Sequence, residues 1–181
     1  MTGQGEPELD EWISAPALRV SHRRESSAPA DQLWQAAQTV RLSDTAVLGR
    51  LVRWRIPGLA AGIQFDELFR ESPFLVLAAG ETSLVSGLVG RIWTLRRDYP
   101  QLTTPDEFRD WSQRGTARVV FATWVQSRPN GGAVIAVEAR VQPIGAQGRI
   151  GVAAVRPLVR AFQQLIASEG IAAAVRRAEH G

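Results

Sequence analysis

Apolar and polar positions alternate with a period of two over several stretches of the chain, and a three- and four-residue spacing replaces that period near the C-terminus. Residues 17–26, "ALRVSHRRES", set Leu18, Val20 and His22 against Arg19, Ser21 and Arg23, which predicts a half-buried strand. Next, "SAPADQLWQAAQTV" offers a cap candidate, an early proline and Leu33, Trp34 and Ala37 on one side, and predicts a short amphipathic helix. From Ala46 to Ile56 the alternation returns, with Leu48, Val52, Trp54 and Ile56 on one face, and predicts a second strand. "PGLAAG" breaks that strand, and "FDELFRESP" reads as a helical turn.

Two hairpins follow. In "PFLVLAAGETSLVSGLVGRIW" two apolar, β-favouring runs flank "AGET"; with Gly80 and Glu81 at the tip, Phe74 falls opposite Gly87, an aromatic ring over a glycine. Gly87 and Gly90 sit inside a strand-like run with no lysine and no following helix, so they lack the strand-to-helix setting of a phosphate loop. They mark a bend or a close approach instead. The second hairpin turns at "RPNGG", in a register that pairs Val119 with Val141, Phe121 with Ala139, Thr123 with Val137 and Val125 with Ile135 on a core face. Its reverse face gathers Ala122, Trp124, Val134 and Ala136 into a modest exposed patch, which reads either as a candidate homodimer contact or as a partly covered surface tryptophan. Val155, Leu158, Val159, Phe162 and Ile166 then form the stripe of a long helix over residues 152–178, which Pro157 begins or kinks and Gly170 bends.

Composition narrows the function classes. At 181 residues the chain suits one core; a flexible acidic segment, 1–16, is expected to precede a single domain over 17–181. There is no cysteine, which removes disulfides, thiolate metal sites and thiol nucleophiles. The first fifteen residues are acidic and polar where a secretory signal is basic and then apolar, and no apolar run reaches membrane-helix length, so a cytoplasmic protein without stable membrane insertion is expected. All 21 basic residues are arginines, which raises the sequence pI to about 10.8 although the net charge is only +3. They alternate with acids rather than forming a patch with interleaved aromatics, so no nucleic acid is expected as a partner.

The order strand, short helix, antiparallel strands and long terminal helix resembles the helix-grip superfamily, which includes START lipid-transfer domains, birch-pollen-allergen-like proteins and polyketide cyclases. "VSHRRESSAPADQLWQAA", "LVSGLVGRIW" and "RPLVRAFQQLIASEGIAAAVRRAE" carry the resemblance over roughly residues 17–179. It implies an α+β fold, a curved antiparallel β-sheet wrapped around the long C-terminal helix with short helices after the first strand. It also implies an apolar cavity that takes a lipid, polyketide or other hydrophobic small molecule. The family has no universal catalytic residues, and the "AGIQFDELFRESPF" region is unlike the longer insertions of many lipid-transfer members.

Polar residues sharing a strand face with core residues are the candidates for that cavity: His22, Arg50, Thr123 and either Arg91 or Ser86, depending on which face of residues 84–93 points inward. Trp54, Trp93, Phe121 and Gly87 are candidate walls and space-makers. With one histidine besides His180 at the chain end, neither a metal site of several histidines nor any other cofactor is expected. Asp98, Asp106 and Glu107 read as loop and helix-start acids, and no carboxylate pair supports acid–base work. Binding or transport of a hydrophobic molecule is therefore expected over a cyclase- or dehydrase-like activity, with an interaction protein whose core is filled as the third reading.

Overall fold

A computed structural model describes residues 6–45, 47, 49–50, 60, 62–94, 99–129 and 131–180. Strands β1 (Leu18–Ser26), β2 (Leu75–Gly80), β3 (Ser83–Gly90), β4 (Thr116–Ser127) and β5 (Ala133–Ile144) form one antiparallel sheet in the order β1-β5-β4-β3-β2. Helices α1 (Ala30–Thr39), α2 (Phe65–Arg70) and α3 (Pro105–Arg109) interrupt the strands. The chain ends in one helical rod made of α4 (Gly145–Leu165), a π-helical turn (Ile166–Ile171) and α5 (Ala172–His180). This is the α+β helix-grip arrangement.

The β4–β5 hairpin has the register read from the sequence, Val119 with Val141 through Val125 with Ile135. Gly131 and Gly132 fix it, since both adopt the left-handed conformation (φ +81° and +74°) that a tight turn requires. In β2–β3 the turn lies one residue later than "AGET" suggests: Gly80 pairs with Ser83, and an irregularity between Val76 and Ala78 sets Leu75, rather than Phe74, opposite Gly87. A ring does cover Gly87, but it is Phe108. A Cβ at Gly87 would lie 2.7 Å from that ring and 2.8 Å from Leu77.

Alternation along the strands divides the core into two layers. On the helix side, Leu84, Val125, Ile135 and Val137 meet Leu33 and Trp34 of α1 and Ile166, Ile171 and Ala174 of the rod. At the other end of that face, Leu88, Val119 and Val141 meet Val152. The reverse face carries Val85, Val89, Val120, Ala122, Trp124 and Ala136, and it too is covered. Phe108, held by α3, lies on it. The N-terminal segment adds Leu9, Trp12 and Ile13, all buried. Trp124 is 0% exposed, so the expected exposed patch around it does not exist.

That cover is pinned by charge. Arg140, 7% exposed on β5, donates to Glu138 (Nε to Oε1, 2.6 Å), to Asp10 of the N-terminal segment and to the Ile13 carbonyl (2.7 Å). Burial alone would lower its pKa, but its hydrogen bonds to Glu138 and Asp10 and their negative charge outweigh burial and raise it. Arg19 donates from a terminal guanidinium nitrogen to the other oxygen of Glu138, Oε2, at 3.0 Å.

Three expectations need correction. Of the strand expected over residues 46–56, the described Val47, Gly49 and Arg50 are helical; the "SDT" before them is a helix-start signal, and Glu169 accepts the Val47 N–H at 3.0 Å, as a helix N-terminus requires. The terminal helix begins at Gly145 rather than 152: its early glycines lower helix propensity but let the backbone approach Trp93, whose ring would overlap any Cβ at Gly151. Leu158 is 65% exposed, because buried Val152 and half-buried Val155, Val159 and Phe162 define the inward line and Leu158 lies about 100° from Val159 around the helix.

Candidate functional site

Between the sheet and the rod lies a cavity of about 70 Å³. Its walls come from three layers. Helix α1 contributes Trp34, and α2 contributes Phe65 and Phe69; the sheet contributes Thr123 and Val137; the π-helical turn contributes Gly170. Each is delivered by local sequence. The 3.6-residue period of α1 turns Leu33 and Trp34 inward, and the period of two in β4 puts Thr123 on the face opposite Trp124.

The π turn shapes the roof. Its i→i+5 bonding adds a residue to one turn, so the rod's inward stripe passes from Phe162 and Ile166 to Ile171 and Ala174 across Gly170. Gly170 is buried and has no side chain, which leaves volume where a larger residue would fill the space.

Polar groups are sparse. Thr123 supplies a hydroxyl at the sheet wall, while Gln38 and Asp66 stand at the half-exposed edge. Asp66 is already engaged, accepting from Arg70 Nε at 2.6 Å. No arginine or histidine lines the cavity among the described residues. The interior therefore suits an uncharged, apolar group.

The predicted site residues disperse. Thr123 lines the cavity. Phe121 stands one step along the same face, in a cluster with Phe69 and Phe74 (centroids 5.4 and 5.7 Å away), so it supports the wall through Phe69. His22 lies beside Val137 on the helix side of β1, half-buried, with Nε2 enclosed and unpartnered. Ser86, rather than Arg91, is the residue of β3 that faces inward: it is 1% exposed and its Oγ has no partner, while Arg91 follows the strand and is exposed. Gly87 faces the reverse layer, Trp93 packs on Gly151, Arg50 is exposed, and Trp54 lies outside the described residues.

Sequence reasoning missed Trp34, Phe65, Phe69 and Gly170 as walls. The amphipathic pattern of α1 did mark Trp34 as inward, but the role of Gly170 depends on a π turn that no spacing announces. Groups with shifted titration lie elsewhere. Arg118, lowered by burial, sits on the reverse face over the Phe108 ring and bonds to Gln142 and the Arg109 carbonyl. Asp106 and Glu107 are helix-start acids as expected, with Glu107 accepting from Thr103 N at 2.6 Å; Asp98 lies outside the described residues.

The chain has the helix-grip architecture. No family model matches it, and no curated protein does so. Among solved structures it is similar to hypothetical protein jhp0584 from Helicobacter pylori, at 11% identity and TM-score 0.41 over 96% of this chain and 94% of that one. It is also similar to Ara h 8.0201, at 12% identity and TM-score 0.33 over 86% and 98%. A third is the Zhui aromatase/cyclase from Streptomyces sp. R1128, at 13% identity and TM-score 0.34 over 90% and 96%. No helix among the described residues is long and apolar enough to cross a membrane.

Proposed function

We propose that the protein binds a compact, uncharged hydrophobic molecule in the cavity between sheet and rod. The carrying observation is the lining: aromatic and aliphatic walls with Thr123 as a hydroxyl on the sheet side and, among the described residues, no cation. A ligand with a carboxylate buried at its inner end finds no partner there, and burying an unpaired charge is costly. A molecule with one neutral hydrogen-bonding group fits better, its polar end at Thr123 or at the edge formed by Gln38 and Asp66.

Size limits the ligand. Pockets for drug-sized molecules run to roughly 300–1,000 Å³, so a cavity of about 70 Å³ takes a short branched chain or, with the walls easing apart, a single ring. The same small volume favours a second reading, an interaction protein whose core is nearly filled. Cyclase- or dehydrase-like catalysis has less support, since among the described residues the polar side chains that line the cavity with Thr123 are Gln38 and Asp66, and Asp66 is ion-paired.

Calorimetric titration with a panel of small aromatic alcohols, short alkanols and medium-chain fatty acids separates these readings. Saturable uptake of the neutral compounds, weakened by Thr123→Val and lost in a folded Gly170→Leu variant, is expected. Absence of uptake across the panel, or equal uptake by the Gly170→Leu variant, would reject the cavity as a binding site.

A further inference from the structure

The outward side of α4 has a composition that solvent alone does not explain. Ile150 and Leu158 are 72% and 65% exposed, and they are two of the three large hydrophobic residues exposed among the described residues. Ile150, Ala154, Pro157 and Ala161, spaced four, three and four, fall within an arc of about 60° pointing away from the sheet, and all are exposed. An ordinary surface helix puts charges there.

Charge lies along one flank instead. Arg149, Arg156 and Arg160 occupy an arc of about 40° beside the apolar stripe, all exposed. Arg156 donates to the Ala17 carbonyl at 3.1 Å, whereas Arg149 and Arg160 make no hydrogen bond or ion pair among the described residues. From residue 139 to residue 168 the chain contains no aspartate or glutamate. The face is therefore an apolar ridge with Leu158 on one flank, a purely cationic border on the other and no internal counter-charge.

We infer that this face of α4 docks reversibly on an anionic lipid surface, with Ile150 and Leu158 entering the headgroup boundary and the three arginines meeting lipid phosphates. A convex ridge without a groove suits a deformable, planar partner, and an apolar stripe beside arginines matches a helix lying in the interface plane. A second copy packed antiparallel through the same face would bring arginines toward arginines. The inference does not depend on occupancy of the cavity, which lies on the other side of the rod.

The test is co-sedimentation of the full chain with phosphatidylglycerol/phosphatidylcholine vesicles and with pure phosphatidylcholine vesicles. Binding to the anionic vesicles only, abolished by high salt, is expected. Arg149→Gln with Arg160→Gln should lower the partition about tenfold or more, and Ile150→Ser with Leu158→Ser should remove binding while thermal unfolding is unchanged. Three results would overturn the inference: no sedimentation with anionic vesicles, equal binding to neutral ones, or a dimer in the parent that the Ile150→Ser, Leu158→Ser variant dissolves, which would assign the ridge to a second copy of the chain.

Discussion

Gly87 lies beneath the Phe108 ring, so a side chain there meets packed core on the reverse face and not the cavity. Gly87→Leu is therefore expected to destabilise the fold by about 1–3 kcal/mol through overpacking, and to leave ligand uptake per folded molecule unchanged. Urea unfolding followed by titration of the folded fraction checks both parts; loss of uptake with unchanged stability would show that the residue faces the cavity. The sequence identified Gly87 as a place of close approach but not its neighbour. Phe108 is distant along the chain; it sits on α3, whose start is marked by the capping box of Thr104 and Glu107, and packs in the reverse-face core. Thr123 was legible as an inward hydroxyl because strand alternation depends only on its neighbours; the exposed position of Arg50 was not, because apolar spacing outweighed a three-residue helix-start signal.

Among the elements, the β4–β5 hairpin was readable to the residue, since a turn with two glycines and a two-residue period leave one register that gathers Val119, Phe121, Val125, Ile135, Val137, Ala139 and Val141 on one face. The C-terminal rod was readable in kind but not in extent. Its end is tied down by Glu179, which accepts from Ser27 N at 2.9 Å and Ser26 Oγ at 3.0 Å, joining α5 to the end of β1. The Ser27 backbone bond, then the Ser26 and Ser27 hydroxyls and the nearby His180, hold the Glu179 carboxyl below its ordinary value of 4.5. A carboxyl depressed in the folded state contributes stability that is present above the unfolded value and lost as pH falls through the folded one. Glu179→Gln should accordingly lower the unfolding midpoint at neutral pH, with the gap closing in acid. A gap that stays constant from pH 7 to pH 3 would contradict the role of the charge.

For the whole molecule, the decisive feature is that both faces of the sheet are covered. Arg140 is central to the reverse cover, joining Glu138 to the N-terminal segment through Asp10 and the Ile13 carbonyl. Arg140→Ala leaves Glu138, 3% exposed, with Arg19 as its remaining charged partner and detaches the segment over Trp124. A loss of about 3–5 kcal/mol is expected, together with a red-shifted tryptophan emission as water reaches Trp124. A stable variant with unchanged emission would mean that Leu9, Trp12 and Ile13 hold the segment by apolar contact alone.

The sequence by itself determined strand β1, the β4–β5 hairpin and its register, the amphipathic α1 and the presence of a long terminal helix. Each of these rests on spacing within a dozen or so residues, where the geometry of strand or helix converts sequence period directly into a buried face. Tertiary structure alone decided which aromatic covers Gly87, that residues 9–13 seal the face around Trp124, and that a π turn leaves an apolar space of about 70 Å³ under Gly170. Those outcomes depend on contacts between segments far apart in the chain. There the fit of volumes and the pairing of buried charge, rather than any local period, select the arrangement.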